Sequence, residues 1–456
     1  MHRCRNCGDS NIDNCHQKKE DAKIMREMKN SGVEWIGKIP SEWTLERLQW
    51  HLTEIKEPNN PIKTKQILSL TNKLGVIPYE EKGSQGNVAK ENYDEYKIAY
   101  PNTIVANSMN VLIGSVGICN YFGCVSPVYY VLMPNKMDNL EFLNYIFQTA
   151  QFQKELRRYA NGILEIRLRV SSAGILKRIV AFPSHEMQQN IVNTLNKRNL
   201  KIDALISNQE QQIEKLKQYK QSLITEVVTK GLDLDVPMKD SGVKWIGQIP
   251  EKWNLTSVRY IGSLQNGISK SGEAFGTGYP FVCYGDIYKN YELPTMVAGL
   301  VETNEKEREQ YSVEYGDVFF TRTSETIEEV GFSCVCKQTI SNATFAGFVI
   351  RMRPYKADEK ILTNFAKYYF RGSQIRAYLV KEMNLVTRAS LGQTLLKGMS
   401  VTIPPKEEQQ RIATYLDDKC AKIDRLIAIK QEKIDKLNDY KKSLIYEYVT
   451  GKREVC

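Results

Sequence analysis

The chain of 456 residues contains no run of about eighteen apolar residues, so no membrane-spanning helix is expected. Its opening residues hold no apolar signal core, which makes the cytoplasm the expected compartment. Histidine is scarce, and His2, His16, His51 and His185 make no metal or general-base constellation. His185, next to a proline at a helix start, reads as a capping or surface residue. No GxxxxGK[ST] phosphate loop occurs. The glycines at Gly272, Gly276 and Gly278 lack the strand-then-helix context of a phosphate site and read as turn formers. The Asn/Asp-Pro-Pro-aromatic motif of an amino-methyltransferase is also missing, since Pro404 and Pro405 follow Ile403. No catalytic signature of these kinds is found, although scattered carboxylates can still build a site that no local pattern reveals.

Cysteine has no disulfide-like rhythm. The ten cysteines, Cys119, Cys124, Cys283, Cys334, Cys336 and Cys420 among them, read as reduced and mostly buried thiols. Cys4, Cys7, Cys15 and His16 have zinc-ligand chemistry, but their spacing is short for a standard finger. Residues 1–27 are expected instead to be an unstructured extension upstream of a start at Met25 or Met28. The formal charge of +10 permits a polyanionic partner without demonstrating one.

What is present is repetition. Residues 201–229, KIDALISNQEQQIEKLKQYKQSLITEVVT, recur at 422–450 as KIDRLIAIKQEKIDKLNDYKKSLIYEYVT, without a gap and at an offset of 221. In the first copy Ile202, Ile206, Ile213, Leu216 and Leu223 mark a 4-3-4-3 spacing interrupted by Gln209 and Lys220. In the second copy Ile423, Ile427, Ile434, Leu437 and Leu444 repeat it, interrupted by Lys430 and Lys441. Such a stripe is a heptad seam that needs a partner helix, and each copy is the obvious partner for the other. Identity extends to solvent-facing positions that packing alone would not fix.

A second repeat, MKNSGVEWIGKIPSEW at 28–43 and MKDSGVKWIGQIPEKW at 238–253, has an offset of 210. Trp35, Trp43, Trp245 and Trp253 flank a proline-terminated turn in each copy and read as a packing clip. Helix formers follow the first clip at Leu45, Leu48 and Leu52.

The chain therefore reads as clip, variable region, long helix, twice over. The variable regions share a pattern rather than a sequence. YPNTIVANSMNVLIGSVGIC at 100–119 and YGDVFFTRTSETIEEVGFSC at 315–334 each give a strand, a polar loop and another strand. Strand-like runs follow at 128–133 and 345–352, then helical pieces at 140–159 and 361–380. Each region closes with an apolar strand, a proline (Pro183, Pro404) and a short glutamine-rich helix start, Glu186/Gln188/Gln189 or Glu407/Gln409/Gln410, that feeds the long helix. The expected fold class is α/β (α+β): two α/β domains joined by two long helices in an antiparallel coiled coil, with a pseudo-two-fold internal repeat.

GVEWIGKIPSEW and GVKWIGQIPEKW, the proline-glutamine helix starts and the paired KIDxLI…YKxSLIxExVT helices resemble the specificity (S) subunit of type I restriction-modification systems, over about 28–451. The resemblance implies an N-terminal extension at 1–27 and a target-recognition domain at 28–185. Helical spacer 186–237, a second target-recognition domain at 238–406 and helical spacer 407–456 follow. It implies double-stranded DNA as ligand, each domain reading half of a bipartite asymmetric site. It also implies two methyltransferase subunits and motor-nuclease subunits as partners. The chain itself would be non-catalytic and bind no cofactor, with S-adenosylmethionine held by the methyltransferase.

Base edges are read mainly by Arg, Lys, Asn and Gln. The parallel loops offer Asn107 and Ser108 in one copy and Thr321 and Arg322 in the other. Arg167 and Arg388 stand at the helix-repeat offset, with Arg157, Arg158, Arg169, Arg376 and Gln393 nearby. Tyr284 and Tyr315 read as packing residues. The outer faces of the helices and the Trp clips are the expected methyltransferase-docking surface. A helix of about 30 residues spans roughly 45 Å, a little over one turn of duplex, and so would suit a ruler between half-sites. Three rival readings are a fused restriction-methylation enzyme, a coiled-coil scaffold without a nucleic-acid role, and a zinc-dependent regulator.

Overall fold

A computed structural model describes residues 26–71, 74–83, 89, 92–135, 138–162, 168–233, 235–324, 330–383 and 389–455. The chain divides into two compact units, residues 1–206 with 435–456 and residues 207–434.

In the first unit the clip is a hairpin of Met28–Asn30 against Lys38–Pro40. A strand at Thr44–Arg47 pairs with Ile179–Phe182. The main sheet has strands β1 (Leu52–Ile55), β2 (Thr103–Asn107), β3 (Val116–Cys119) and β4 (Tyr129–Pro134), antiparallel in the order β1-β4-β2-β3. Leu45, Leu48 and Leu52 therefore belong to a strand, a 3-10 turn and a second strand rather than to a helix. Their spacing suits a helix, but hydrogen bonding to Ile179–Phe182, far along the chain, overrides local propensity. The helical piece at 140–159 is two helices, Leu140–Phe147 and Ala150–Arg157, broken where the Thr149 hydroxyl donates to the Ile146 carbonyl.

Long helix α1 runs unbroken from His185 to Lys230, 46 residues. The separate short helix expected at its start does not exist, because neither glycine nor proline interrupts the segment.

The second unit repeats the plan. Its clip pairs Met238–Asp240 with Gln248–Pro250, and Asn254–Ser257 pairs with Ser400–Ile403. Strands β5 (Gly262–Asn266), β6 (Val318–Thr321), β7 (Ser333–Val335) and β8 (Val349–Pro354) form an antiparallel sheet in the order β5-β8-β6-β7. The match extends to register: Leu52 faces Pro134 as Gly262 faces Pro354, and Asn107 faces Tyr129 as Thr321 faces Val349. The run at 345–352 is two strands, Thr344–Phe345 and β8, separated by Ala346, Gly347 and Phe348. The piece at 361–380 is the helices Thr363–Tyr369 and Ser373–Glu382. Helix α2 spans Lys406–Val449, 44 residues.

Both long helices end on a left-handed glycine, Gly231 (φ +82°) and Gly451 (φ +69°), a conformation glycine adopts without Cβ strain. Each start is tied down by a buried glutamine. Gln188 accepts from the Asn139 amide at 3.0 Å and donates to the Pro183 carbonyl at 3.3 Å. Gln409 accepts from the Leu362 amide at 2.7 Å and donates to the Lys360 and Pro404 carbonyls at 3.0 and 2.9 Å.

The apolar positions of the heptad seam are buried or partly buried. Ile202, Ile213, Leu223, Ile423, Ile434 and Leu444 are buried, with Ile206, Leu216, Ile427 and Leu437 packed against the cores. In the second unit Gln212 bonds Lys430 and Lys220 grips both Asp424 oxygens at 2.8 and 2.7 Å, so the helices run antiparallel. In the first unit Lys441 holds both Asp203 oxygens at 2.7 and 2.8 Å. These two ion pairs are the same contact under the 221-residue offset. Lys220→Glu should cost up to about 1 kcal/mol, and adding Asp424→Lys should restore it. Urea unfolding of the two variants checks this.

Candidate nucleic-acid interface

The two sheets end alike. At the C-terminal end of β2 the Ser108 amide donates to the Val128 carbonyl (3.3 Å), and the Ser108 carbonyl accepts from the Val170 amide (3.1 Å). At the end of β6 the Arg322 amide donates to the Phe348 carbonyl (2.9 Å), and the Arg322 carbonyl accepts from the Leu391 amide (2.7 Å). A two-residue ribbon packs beside each junction, Ala160–Asn161 with Arg169–Val170 and Thr323–Ser324 with Ala389–Ser390. One backbone frame thus presents different side chains: Val128 and Arg169 in one unit, Arg322 and Phe348 in the other.

Burial corrects part of the expected contact set. Asn107, Ser108 and Thr321 are 7%, 4% and 0% exposed. The Asn107 amide oxygen accepts from the Met109 amide at 3.0 Å, and the Thr321 hydroxyl accepts from the Phe332 amide at 2.9 Å. These groups hold their turns instead of facing a ligand, because a buried polar atom must find an internal partner.

Arg169 is exposed at the sheet end. Arg157 is exposed at the last position of its helix. Arg158 pairs with Glu34 of the clip (2.6 Å) and with Glu155 (3.2 Å), and hydrogen bonding to Glu34 raises its pKa. It therefore braces the clip. Arg322 is half-buried and reaches the Gly347 carbonyl at 3.4 Å. Arg376 lies 3.9 Å over the Phe332 ring, a cation–π contact. The Gln393 amide donates to Asn266, at the end of β5, at 2.9 Å. Arg167 and Arg388 lie outside the described residues, as do Cys4, Cys7, Cys15 and His16.

Arg371 escaped sequence reasoning. It is buried, donates to the Ser333 and Ile287 carbonyls at 2.6 and 2.7 Å, and burial lowers its pKa. Phe348 was hidden in a run that resembles a core strand, yet it is 60% exposed. Tyr284 stacks on Tyr288, with ring centroids 6.2 Å apart, and so packs internally, whereas Tyr315 bonds Asp358 with its ring exposed at the surface.

Trp43 and Trp253 are 1% and 0% exposed and sit in the cores. Neither ring is available to a partner, which corrects their assignment to a docking surface. Trp35 and Trp245 are half-buried, the first against Phe152 at 5.2 Å and the second stacked on Tyr378 at 4.5 Å.

Among the described residues no cluster of His, Cys, Asp or Glu is arranged to hold a metal ion, and no helix is long and apolar enough to cross a membrane. Cys119, Cys124, Cys334, Cys336 and Cys420 are buried free thiols and Cys283 is half-buried. Burial pushes the Cys124 and Cys336 thiols up to about 11 and about 12.

Residues 250–439 match the family model for the type I restriction modification DNA specificity domain. A Methanocaldococcus jannaschii protein named for the MjaX specificity subunit of a type I restriction enzyme is 26% identical over 209 residues. That alignment covers 45% of this chain and 47%, about half, of the relative. The StySPI specificity subunit of Salmonella potsdam is 20% identical over 321 residues, 70% of this chain and 67% of that protein. A solved chain from work on complex assembly and conformational transition of the type I R-M system superposes with a TM-score of 0.66. It shares 14% identity and covers 90% of this chain and 98% of its own length, which shows a common fold. Over residues 250–439 the chain thus matches the type I restriction modification DNA specificity domain, and the relatives it is similar to are named as specificity subunits of type I restriction enzymes.

Proposed function

We propose that the chain is the non-catalytic DNA-reading subunit of a cytoplasmic type I restriction-modification complex, each unit recognising one half of a bipartite, asymmetric duplex site. The observation that carries this reading is the pair of sheet ends. An identical backbone register presents Val128 and Arg169 in one unit and Arg322 and Phe348 in the other. A conserved frame with different tips suits two different half-sites approached in the same way, since base edges are read by side chains and position is set by the frame.

The partners in this reading are two methyltransferase subunits, which hold S-adenosylmethionine and methylate adenine, and motor-nuclease subunits. Two copies of one partner need two equivalent surfaces. Leu205 and Leu426 are 47% and 48% exposed, and Tyr219 and Tyr440 are 58% and 46% exposed, at identical places in the repeat. By heptad position Leu205 flanks the seam beside Tyr440, and Tyr219 beside Leu426. Each unit therefore offers an exposed Leu–Tyr pair as an anchor for one methyltransferase.

The test is genome-wide adenine-methylation sequencing of a host expressing this chain with its neighbouring methyltransferase. The expected result is a bipartite motif that appears only when both proteins are present. A stable complex that adds no methylation overturns the recognition role, and absence of any complex returns the chain to a scaffold.

A further inference from the structure

Phe348 is a large apolar side chain in water, 60% exposed, at a point where the chain has little freedom. Its carbonyl accepts from the Arg322 amide at 2.9 Å, and the next residue, Val349, is fully buried in β8. On the other side, Gly347 and Gly267 let two backbone segments touch. A Cβ at Gly267 would stand 2.2 Å from the Phe345 and Ala346 carbonyl oxygens, and one at Gly347 would stand 2.3 Å from the Ser269 hydroxyl. The Arg322 guanidinium reaches the Gly347 carbonyl at 3.4 Å, one residue along the chain from Phe348, so a cation shares this end of the sheet. The amide pair of Asn266 and Gln393 closes the same end of the sheet.

An exposed phenylalanine on a loose loop would be unremarkable, but the backbone that carries this one is fixed by the Arg322 bond, by buried Val349 and by the close approach at Gly267 and Gly347. Rigid aromatic projection beside a cation and an amide pair is the equipment of a stacking contact. The cation meets a phosphate, the amides meet base edges, and the ring enters between base pairs, where unstacking exposes apolar faces. The equivalent residue in the first unit is Val128, held by the matching bond from the Ser108 amide, which has no ring to insert.

We infer that Phe348 is a specificity-determining wedge that the second unit inserts at a base step of its half-site, bending or unstacking the duplex there. The first unit reads its half-site without such an insertion. This rests on the DNA-reading function proposed above. Because a kinked step is favourable only where the sequence deforms easily, the wedge selects for flexible pyrimidine–purine steps without hydrogen-bonding to them.

The experiment uses the assembled complex with its methyltransferase and the cognate duplex defined by methylation sequencing. Phe348→Ala is expected to weaken cognate binding about tenfold, while Phe348→Trp stays within about threefold of the native chain. In the methylation map Phe348→Ala should degrade the half-motif read by the second unit and leave the other half unchanged. 2-Aminopurine placed through that half-site should brighten at one step with the native complex and stay quenched with the alanine variant. Thermal unfolding of the free Phe348→Ala chain should match the native chain, because the ring covers no core. An intact motif with unchanged affinity, quenched 2-aminopurine throughout, loss in the other half-motif, or a large drop in Tm would each overturn the wedge. A native complex that writes no bipartite motif would sink the DNA-reading function itself, which separates the two failures.

Discussion

Trp253→Ala and Trp43→Ala should each lower the unfolding free energy by about 3–5 kcal/mol, the range for truncating a buried large aromatic. Both rings are essentially unexposed, and each lies against the glycine that ends a long helix. A Cβ on Gly231 would come within 3.5 Å of the Trp253 ring, and one on Gly451 within 3.2 Å of the Trp43 ring. The clip therefore closes the helix end as well as the core. The two sites differ in polarity. The Trp253 indole N–H donates to the Glu408 carboxylate at 3.0 Å, whereas the Trp43 indole nitrogen has no hydrogen-bond partner among the described residues. Trp253→Phe should consequently cost more than Trp43→Phe by about 1.5–3 kcal/mol, the usual worth of a bond to a charged group. Since the tryptophans occupy separate units, the two alanine losses should add in the double variant. Calorimetric unfolding of the five variants beside the native chain measures all of this. Equal costs for the two phenylalanine variants would show that the Glu408 bond contributes nothing.

A comparable loss is expected for Arg353→Met. Arg353 forks onto Asp317, Nε to one oxygen at 2.7 Å and a terminal nitrogen to the other at 2.6 Å, and reaches Glu314 at 2.6 Å. Asp317 is fully buried. Removing the guanidinium takes the hydrogen-bonded counter-ion from a buried carboxylate and leaves only the charge of Arg351 nearby, which costs about 3–5 kcal/mol. Replacing both partners, Arg353→Met with Asp317→Leu, should recover most of the loss, because no charge then remains to be solvated. The single variant also has a predictable pH dependence. Burial pushes the Asp317 pKa above its ordinary value, and without Arg353 only the Glu314 amide and the more distant Arg351 oppose that push. A raised carboxyl pKa favours folding at low pH and is a penalty at high pH. The defect of Arg353→Met should therefore shrink as pH falls toward about 4, the usual carboxylate range. Urea unfolding of native and variant chains from neutral pH downward checks the sign; a defect that grows on acidification would contradict it.

The repeated frame was legible in the sequence because its constraint is local and doubled. Seam positions such as Ile213 and Ile434, and solvent-facing ones such as Tyr219 and Tyr440, recur at one offset, and nothing in long-range packing is needed to see it. The glutamines at 188 and 409 were visible as a motif, but their work was not. It depends on amides at Asn139 and Leu362 that lie far along the chain. Strands fared worse, since Leu45, Leu48 and Leu52 satisfy a helical spacing and are made extended only by a distant partner. At the sheet ends composition misled. Asn107 and Thr321 have the chemistry of DNA readers yet serve their own turns, while Phe348, which looks like core, stands in water. Exposure is a property of the assembled sheet and leaves no trace in a run of apolar letters.

The order in which the chain is written has a consequence for how it can fold. The second unit is continuous in sequence, from 207 to 434, whereas the first needs residues 435–456 to complete it. Leu444, Ile445, Tyr448 and Val449 belong to the same core as Trp43 and Phe142. On a ribosome the second unit can therefore close while the first, though synthesised earlier, waits with an open apolar face. A nonsense codon near 435 would spare the later-made unit and leave the earlier one unfinished.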